Sequence, residues 1–321
     1  MNIAMLSGWH VHAEGYAKEL QKRKECKVAA VWDEQPERGE KWAKELGCPY
    51  VQDIQDIFSD STIDAVAVCA PTNLHTDIII QAANAKKHIF TEKVLALTVS
   101  DCERIKKAVE ENKVKFCISF PHRCRRELLF AKKLVAQGAL GRLTYARIRN
   151  VHDGAVADWL PPHFYNRQQC GGGAMIDLGA HPMYLLSWLL GEPKFIQSSF
   201  TDITNHGVED NAVSVIEFEN GAIGVSETGI VSVYTPMLLE ISGTKGTLML
   251  GNSLSYAAES TKGQWVTPED LPQALPSPID QWVDGVVYGK EIAFGVDDAV
   301  MLTRLMEGAY ISFESGRKVK L

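Results

Sequence analysis

Short apolar runs at residues 3–6, 28–32, 65–70, 88–90 and 114–119 alternate with longer stretches whose apolar positions recur every three or four residues. The runs suit strands buried on both faces and the longer stretches suit helices that cover them, so residues 1–120 predict parallel strands with crossover helices. Two of these helices carry end signals. One opens on Pro36 and stops at Gly47; another opens on Ser100 with Glu103 three places on, a capping-box pattern. Residues 120–124 read as a crossover, followed by a helix over 125–137 that Gly138 ends. The rhythm then changes. Residues 143–149, 213–218, 222–231, 237–241 and 247–250 form strand-like segments between Gly and Asn turns, and a last helix covers about 297–315. The expected architecture is α/β plus α+β. A doubly wound parallel sheet occupies residues 1–121, and residues 122–321 are built on a large, mostly antiparallel sheet.

One stretch interrupts the second part, residues 171–191, GGGAMIDLGAHPMYLLSWLLG. Asp177 and His181 stand four apart, so on one helix they share a face that Tyr184 and Trp188 continue, with Met175, Ile176, Met183, Leu186 and Leu190 on the core side. Pro182 has no amide for the carbonyl of Leu178, which predicts a kink there. Gly171, Gly172 and Gly173 permit a sharp turn that brings amides close to a bound molecule. Asp177 and His181 read either as an ordinary helix-surface pair or as a proton-transferring pair in a pocket. The adjoining glycines and the apolar surroundings favour the second.

Composition narrows the class. Of 321 residues, 45% are hydrophobic and 23% charged, ordinary for two globular domains. A net charge of -7, with no run of Lys and Arg among aromatics, argues against nucleic acid as a partner. No signal-like start and no apolar run of membrane length is present, so a cytoplasmic protein is expected. The seven cysteines form no C-x-x-C pair and read as reduced thiols. Cys170, beside the glycines, reads as packing.

The ends of the early strands carry the remaining chemistry. The first reads Ser7-Gly8-Trp9-His10-Val11-His12-Ala13, where a dinucleotide turn would have G-x-G-x-x-G; a register from Gly8 keeps that glycine and ends on Ala13. Asp33 closes the second strand, where a carboxylate accepts hydrogen bonds from ribose hydroxyls. No Arg follows it directly, which favours NAD over NADP. His10 and His12 form an H-x-H that would also suit a metal hydrolase barrel. The later strand ends bring no matching group, so both are read as loop histidines beside a cofactor and no metal is expected. Lys93 reads as a solvated strand-end lysine or as a donor to a substrate oxygen.

The elements VAVCAPTNLH (66–75) and HIFTEKVLAL (88–97), together with GGGAMIDLGAH, VEDN (208–211), FENGAIG (218–224) and GTKGTL (243–248), resemble the glucose-fructose oxidoreductase and inositol dehydrogenase (Gfo/Idh/MocA) family. Glu92 and Lys93 match the family's E-K-P, with Val94 for the proline, and Ala70 stands for its usual threonine. The resemblance implies a Rossmann-type NAD(P) domain and a dehydrogenase acting on a small polyol, sugar or cyclitol. It implies a catalytic group of Lys93, Asp177 and His181. Ser7, Gly8, His10, Val11, Asp33, Ala70, Pro71, Thr72, His75, Glu92 and Lys93 would hold the cofactor. The loop 158–169 is polar and aromatic enough for a substrate lid, with Trp159, His163 and Tyr165 as candidates; Trp159 and Tyr165 would join Arg123, Lys93, Asp177 and His181 around the substrate. Residues 222–231 and 237–241 carry apolar side chains in both parities, which predicts a homodimer or homotetramer through the C-terminal sheet. The rival expectation is a non-catalytic nucleotide or sugar sensor of the same fold; retention of Lys93, Asp177 and His181 together argues against it.

Overall fold

Aliphatic residues buried on both faces build the first sheet: all four residues of Ala65–Val68 are buried, as are Ile3, Ala4, Met5 and Leu6. The computed structural model describes residues Met1–Leu321. It separates into one unit of residues 1–119 with 276–303 and another of residues 120–275 with 304–321. In the first, β1 (Asn2–Leu6), α1 (Ala13–Lys22), β2 (Lys27–Trp32), α2 (Pro36–Leu46), α3 (Ile54–Ser59), β3 (Ala65–Val68), α4 (Thr72–Asn84), β4 (His88–Thr91), α5 (Val99–Asn112) and β5 (Phe116–Ile118) follow one another. The strands pair in parallel in the order β2-β1-β3-β4-β5. Tyr50 adds a parallel bridge to Val31 on the outer side of β2, the stub of a further strand. With that stub the order is the one used for dinucleotides, and the strand order reverses between β1 and β3.

The end of α2 is as expected, with Gly47 left-handed at φ 69°. The start of α5 is not. Its cap is Thr98, whose hydroxyl accepts the Asp101 amide at 3.1 Å and donates to the Asp101 carboxylate at 2.8 Å. T-V-S-D offers the same cap two residues before Ser100, and the earlier one adds helix at no cost in unpaired amides.

The chain continues through α6 (Arg126–Ala136), β6 (Leu143–Val151), α7 (Arg167–Cys170), α8 (Ala174–Asp177), α9 (Ala180–Leu190), β7 (Pro193–Thr201), β8 (Asn211–Phe218), β9 (Ile223–Gly229), β10 (Leu238–Gly243), β11 (Gly246–Leu250) and β12 (Leu254–Ala258). It closes with α10 (Pro278–Val287), α11 (Val296–Ser315) and β13 (Val319–Lys320). The second sheet has eight strands in the order β12-β11-β10-β6-β9-β8-β7-β13. All neighbours are antiparallel except β6 and β9. α9 lies on β6 and β9. It comes close because Gly224 has no side chain: a Cβ there would stand 3.3 Å from Leu186 and 3.4 Å from Leu190. The opposite face exposes Val213, Val215, Ile223 and Met249 around a two-pronged ion pair, Arg147 to Glu227 at 2.7 and 3.0 Å.

A division at residue 121 is therefore incomplete, because residues 276–303 return to the first unit. The apolar stripe of α10 covers β4 and β5, with Trp282 fully buried beside Phe90. Arg23, which caps the end of α1, pairs with Asp280 and Asp284 of α10. No helix is long and apolar enough to cross a membrane.

Candidate active site

The turn after β1 is set by Ser7, which is left-handed at φ 72°, the conformation a glycine adopts more easily. Its hydroxyl accepts the Trp9 amide at 3.0 Å. Gly8 then passes under Trp42, where a Cβ would come within 3.3 Å of the indole, and its amide donates to Asp33 Oδ2 at 2.8 Å. Asp33 is buried and already engaged. Its Oδ1 accepts Gln35 N and Arg38 Nη2, both at 2.7 Å, and its Oδ2 accepts Arg38 Nε at 2.8 Å. Four donors thus meet a carboxylate with about four lone-pair sites. Arg38 is the residue missed in the sequence, since it lies in the first turn of α2 rather than directly after Asp33. Gly39 lets α2 approach, for a Cβ there would stand 2.7 Å from Asp33 Cβ and 2.5 Å from the Tyr50 ring. A cavity of about 270 Å³ opens here, lined by Gly8, His10, Val11, Arg38, Lys41 and Trp42 among others.

At the end of β4, Glu92 is the centre of a second group. His12 Nδ1 meets its Oε1 at 2.8 Å, His10 Nδ1 lies 3.8 Å from the same oxygen, and the Lys93 amide donates to Oε2 at 3.0 Å. The Tyr16 hydroxyl donates to Oε1 and also meets Ser119 Oγ at 2.7 Å. Burial pushes the Glu92 carboxyl up, but the imidazoles of His10 and His12, with Lys93, hold it well below the usual carboxylate range. Burial pushes the Tyr16 phenol well up, so it stays a donor. Lys93 is itself buried, and its peptide bond to Val94 is cis.

Ala70, Pro71 and Thr72 lie buried where β3 passes into α4. His75 is buried as well. Its Nε2 is 2.9 Å from the Ala70 carbonyl and its Nδ1 3.0 and 3.2 Å from those of Val94 and Leu95. It ties the ends of β3 and β4 together, and burial pushes its imidazole down despite those carbonyls. Both ring nitrogens of His75 are thus engaged by backbone carbonyls.

In the second unit the glycine run works by packing. Gly171 caps α7 with φ 89°, whereas Gly172 is filled against the Tyr310 hydroxyl and Gly173 against Glu209 and Val208. The amides at the start of α8 are taken within the chain. Glu209 Oε1 accepts Gly173 N at 2.8 Å and Met175 N at 3.0 Å, and Ala174 N reaches the Glu209 carbonyl at 2.7 Å. A carboxylate at a helix start is the favourable arrangement there, so these amides are not the ligand cradle expected of them.

The kink falls before Pro182 rather than at it. α8 stops at Asp177, Gly179 leads into α9, and the Leu178 carbonyl accepts the His181 amide at 3.1 Å. Pro182 thus sits in the first turn of α9, where a missing amide leaves nothing unpaired. His181 is 5% exposed. Its Nδ1 lies 3.0 Å from the Tyr184 hydroxyl, whose oxygen also accepts the His122 amide at 3.2 Å. Tyr184 is buried and stacked on Phe120 at 4.2 Å, and the His122 ring stands edge-on to His181 at 4.5 Å. Tyr184, expected as a wall residue, is therefore the imidazole's orienting partner. Asp177 is partly exposed at the end of α8.

Arg123 lies over the Trp188 ring at 5.2 Å. Trp159 is 53% exposed, with its indole N–H on Asp153 at 3.0 Å. Tyr165 stacks on His206 at 3.9 Å. The loop carrying Trp159 and Tyr165 has a core of its own, in which Leu160 and Phe164 pack with Ala174 of α8 and Ile230. Cys170 is buried with its thiol on the His163 carbonyl at 3.3 Å, which agrees with packing.

Comparison with known proteins matches a stretch of each unit to a domain of one family. A family described as "Oxidoreductase family, NAD-binding Rossmann fold" matches residues 6–120, and "GFO/IDH/MocA C-terminal domain" matches residues 128–249. Myo-inositol 2-dehydrogenase of Thermotoga maritima is 27% identical over 95% of this chain and 94% of its own. Scyllo-inositol 2-dehydrogenase (NAD(+)) of Bacillus subtilis is 31% identical over 70% of this chain and 66% of its own. The fold is shared with levoglucosan dehydrogenase solved with NADH and levoglucosan, at a TM-score of 0.86 and 21% identity over 100% of this chain and 99% of that one. Matched in chain order by both of that family's domains, and along almost its whole length by an inositol dehydrogenase, the chain belongs to the GFO/IDH/MocA family and is an oxidoreductase.

Proposed function

We propose that this enzyme oxidises a carbinol of a small polyol, sugar or cyclitol with NAD, and reduces the corresponding carbonyl in reverse. The observation that carries this reading is the buried His181 turned onto Tyr184. Tyr184 holds the ring through Nδ1, and Nε2 is the nitrogen we assign to accept a hydroxyl proton from the substrate. The Lys93 ammonium would donate to the same substrate oxygen as negative charge grows on it. Asp177 would assist the proton's departure. Arg123, Trp159 and Tyr165 offer the aromatic and cationic surface that a polyhydroxylated ring requires. The inositol dehydrogenases among its relatives favour a cyclitol.

When bound, NAD supplies the hydride acceptor. Ser7, Gly8, His10 and Val11 on the first turn, with Ala70, Pro71, Thr72, Glu92 and Lys93 on later strand ends, would hold it. The glycine under Trp42 and the cation Lys41 in the cavity fit a pyrophosphate and its ribose. Asp33 selects the 2'-hydroxyl, for which Arg38 must swing aside; a 2'-phosphate would instead recruit Arg38.

The test follows nicotinamide absorbance with NAD and NADP over a panel of cyclitols and sugars. Turnover with NAD on at least one is expected. Tight nucleotide binding without turnover on any would point to a sensor instead. Arg38→Ala should weaken NADP binding by about 10- to 100-fold, the worth of a charge-assisted pair, and leave NAD within a few-fold. A wild type that prefers NADP would remove Asp33 from the ribose.

The exposed Val213, Val215, Ile223 and Met249 support a homodimer or homotetramer formed on that sheet face. Light scattering at micromolar concentration should report one; a monomer would overturn it.

A further inference from the structure

The strand ends of the first unit bring together three side chains, two of which, His10 and Glu92, also lie on the proposed cofactor surface. His10 and His12 project from the turn after β1, Glu92 follows β4, and one ligand atom from each lies within 4.8 Å of the others. We propose that His10, His12 and Glu92 form a binding site for one divalent transition-metal ion of the zinc class.

The spacing is near what such an ion needs. Tetrahedral zinc with bonds of about 2.0–2.2 Å holds its donors roughly 3.3 Å apart. Glu92 Oε1 lies 2.8 Å from His12 Nδ1 and 3.8 Å from His10 Nδ1, on either side of that value. The protonation state suits a ligand as well. The His12 amide donates to His10 Nδ1 at 3.2 Å, so that nitrogen is unprotonated, and an ion would take its lone pair in place of this bond. The carboxylate is held by groups that would remain in place around an ion, with the Lys93 amide on Oε2 and the protonated Tyr16 hydroxyl on Oε1. Such outer partners orient ligands and raise metal affinity. A dication would balance the charge of the buried carboxylate more fully than a single imidazole does. Two nitrogens with one carboxylate select a borderline transition ion over magnesium or calcium. His12 is 46% exposed, which leaves a path for entry.

The test uses the full-length, metal-stripped protein without nucleotide, titrated calorimetrically with Zn2+ and followed by absorption with Co2+. One equivalent should bind with micromolar affinity or better, and the cobalt spectrum should show ligand-field bands without thiolate charge transfer. His12→Ala, at a half-exposed position that leaves the core intact, should weaken binding by at least about 100-fold, and His10→Ala likewise. Circular dichroism verifies that each variant is folded. If no ion binds stoichiometrically, if His10→Ala/His12→Ala retains wild-type affinity, or if charge transfer places the ion on cysteine, the proposal is overturned and the three residues are a hydrogen-bonded cluster only.

Discussion

Replacing His181 with alanine lowers turnover of the best alcohol substrate by roughly 10²- to 10⁴-fold, the ordinary worth of a positioned general base, and leaves NAD affinity nearly unchanged. The argument rests on where the ring is held. It is buried at the start of α9, and its Nδ1 is fixed by a tyrosine that is itself stacked on Phe120. Only the unprotonated ring accepts a hydroxyl proton. The oxidation rate in the wild type therefore rises with pH as the imidazolium is lost, and reduction, which needs the proton returned, falls over the same range. In His181→Ala that limb is gone. Tyr184→Phe keeps the stacked ring but releases Nδ1, so it should displace the limb while the protein stays folded. Steady-state kinetics across pH with saturating substrate measure both. Near wild-type turnover with the same profile in His181→Ala would make the residue a packing histidine.

Lys93→Ala is expected to cost about 10²- to 10³-fold in kcat, the effect of removing one donor from a developing oxyanion. Lys93 is buried beside Glu92, and its backbone amide fixes the carboxylate that the histidines face. Because the backbone bond survives the substitution, loss of turnover can be assigned to the ammonium rather than to collapse of the strand end. The imidazole limb of the pH profile should persist in Lys93→Ala, which distinguishes loss of charge stabilisation from loss of the base. Lys93→Arg should not restore the rate, since a planar fork cannot take the place of a compact ammonium in a buried site. An alanine variant within a few-fold of wild type would remove Lys93 from the chemistry.

Much of this was legible from periodicity and punctuation. The strands of the first sheet are short apolar runs between amphipathic helices, and Gly47 marks a helix end by the same backbone freedom it shows in the fold. What escaped was either weakly patterned or non-local. β7 reads PKFIQSSFT, with three of nine residues buried, so it lacks the alternation that marks β8. Arg38 meets Asp33 only because α2 folds back over the end of β2. Glu92 stands eighty residues from His12, so no local spacing could supply the third member of that cluster. The glycines at 171–173 were read for conformational freedom. Gly172 and Gly173 are instead places where Tyr310 and Glu209 need room, a constraint written in distant residues.

The return of residues 276–303 to the first unit also orders events at the ribosome. When residue 119 emerges, the sheet is complete in strands but still lacks α10, and the surface that Trp282 will cover beside Phe90 is open to water. At roughly 5–20 residues per second, synthesis through residue 303 takes about 10–40 s more. The nascent first unit is a half-clad intermediate for that interval, and its core closes only after β6 to β12 of the second unit have been made.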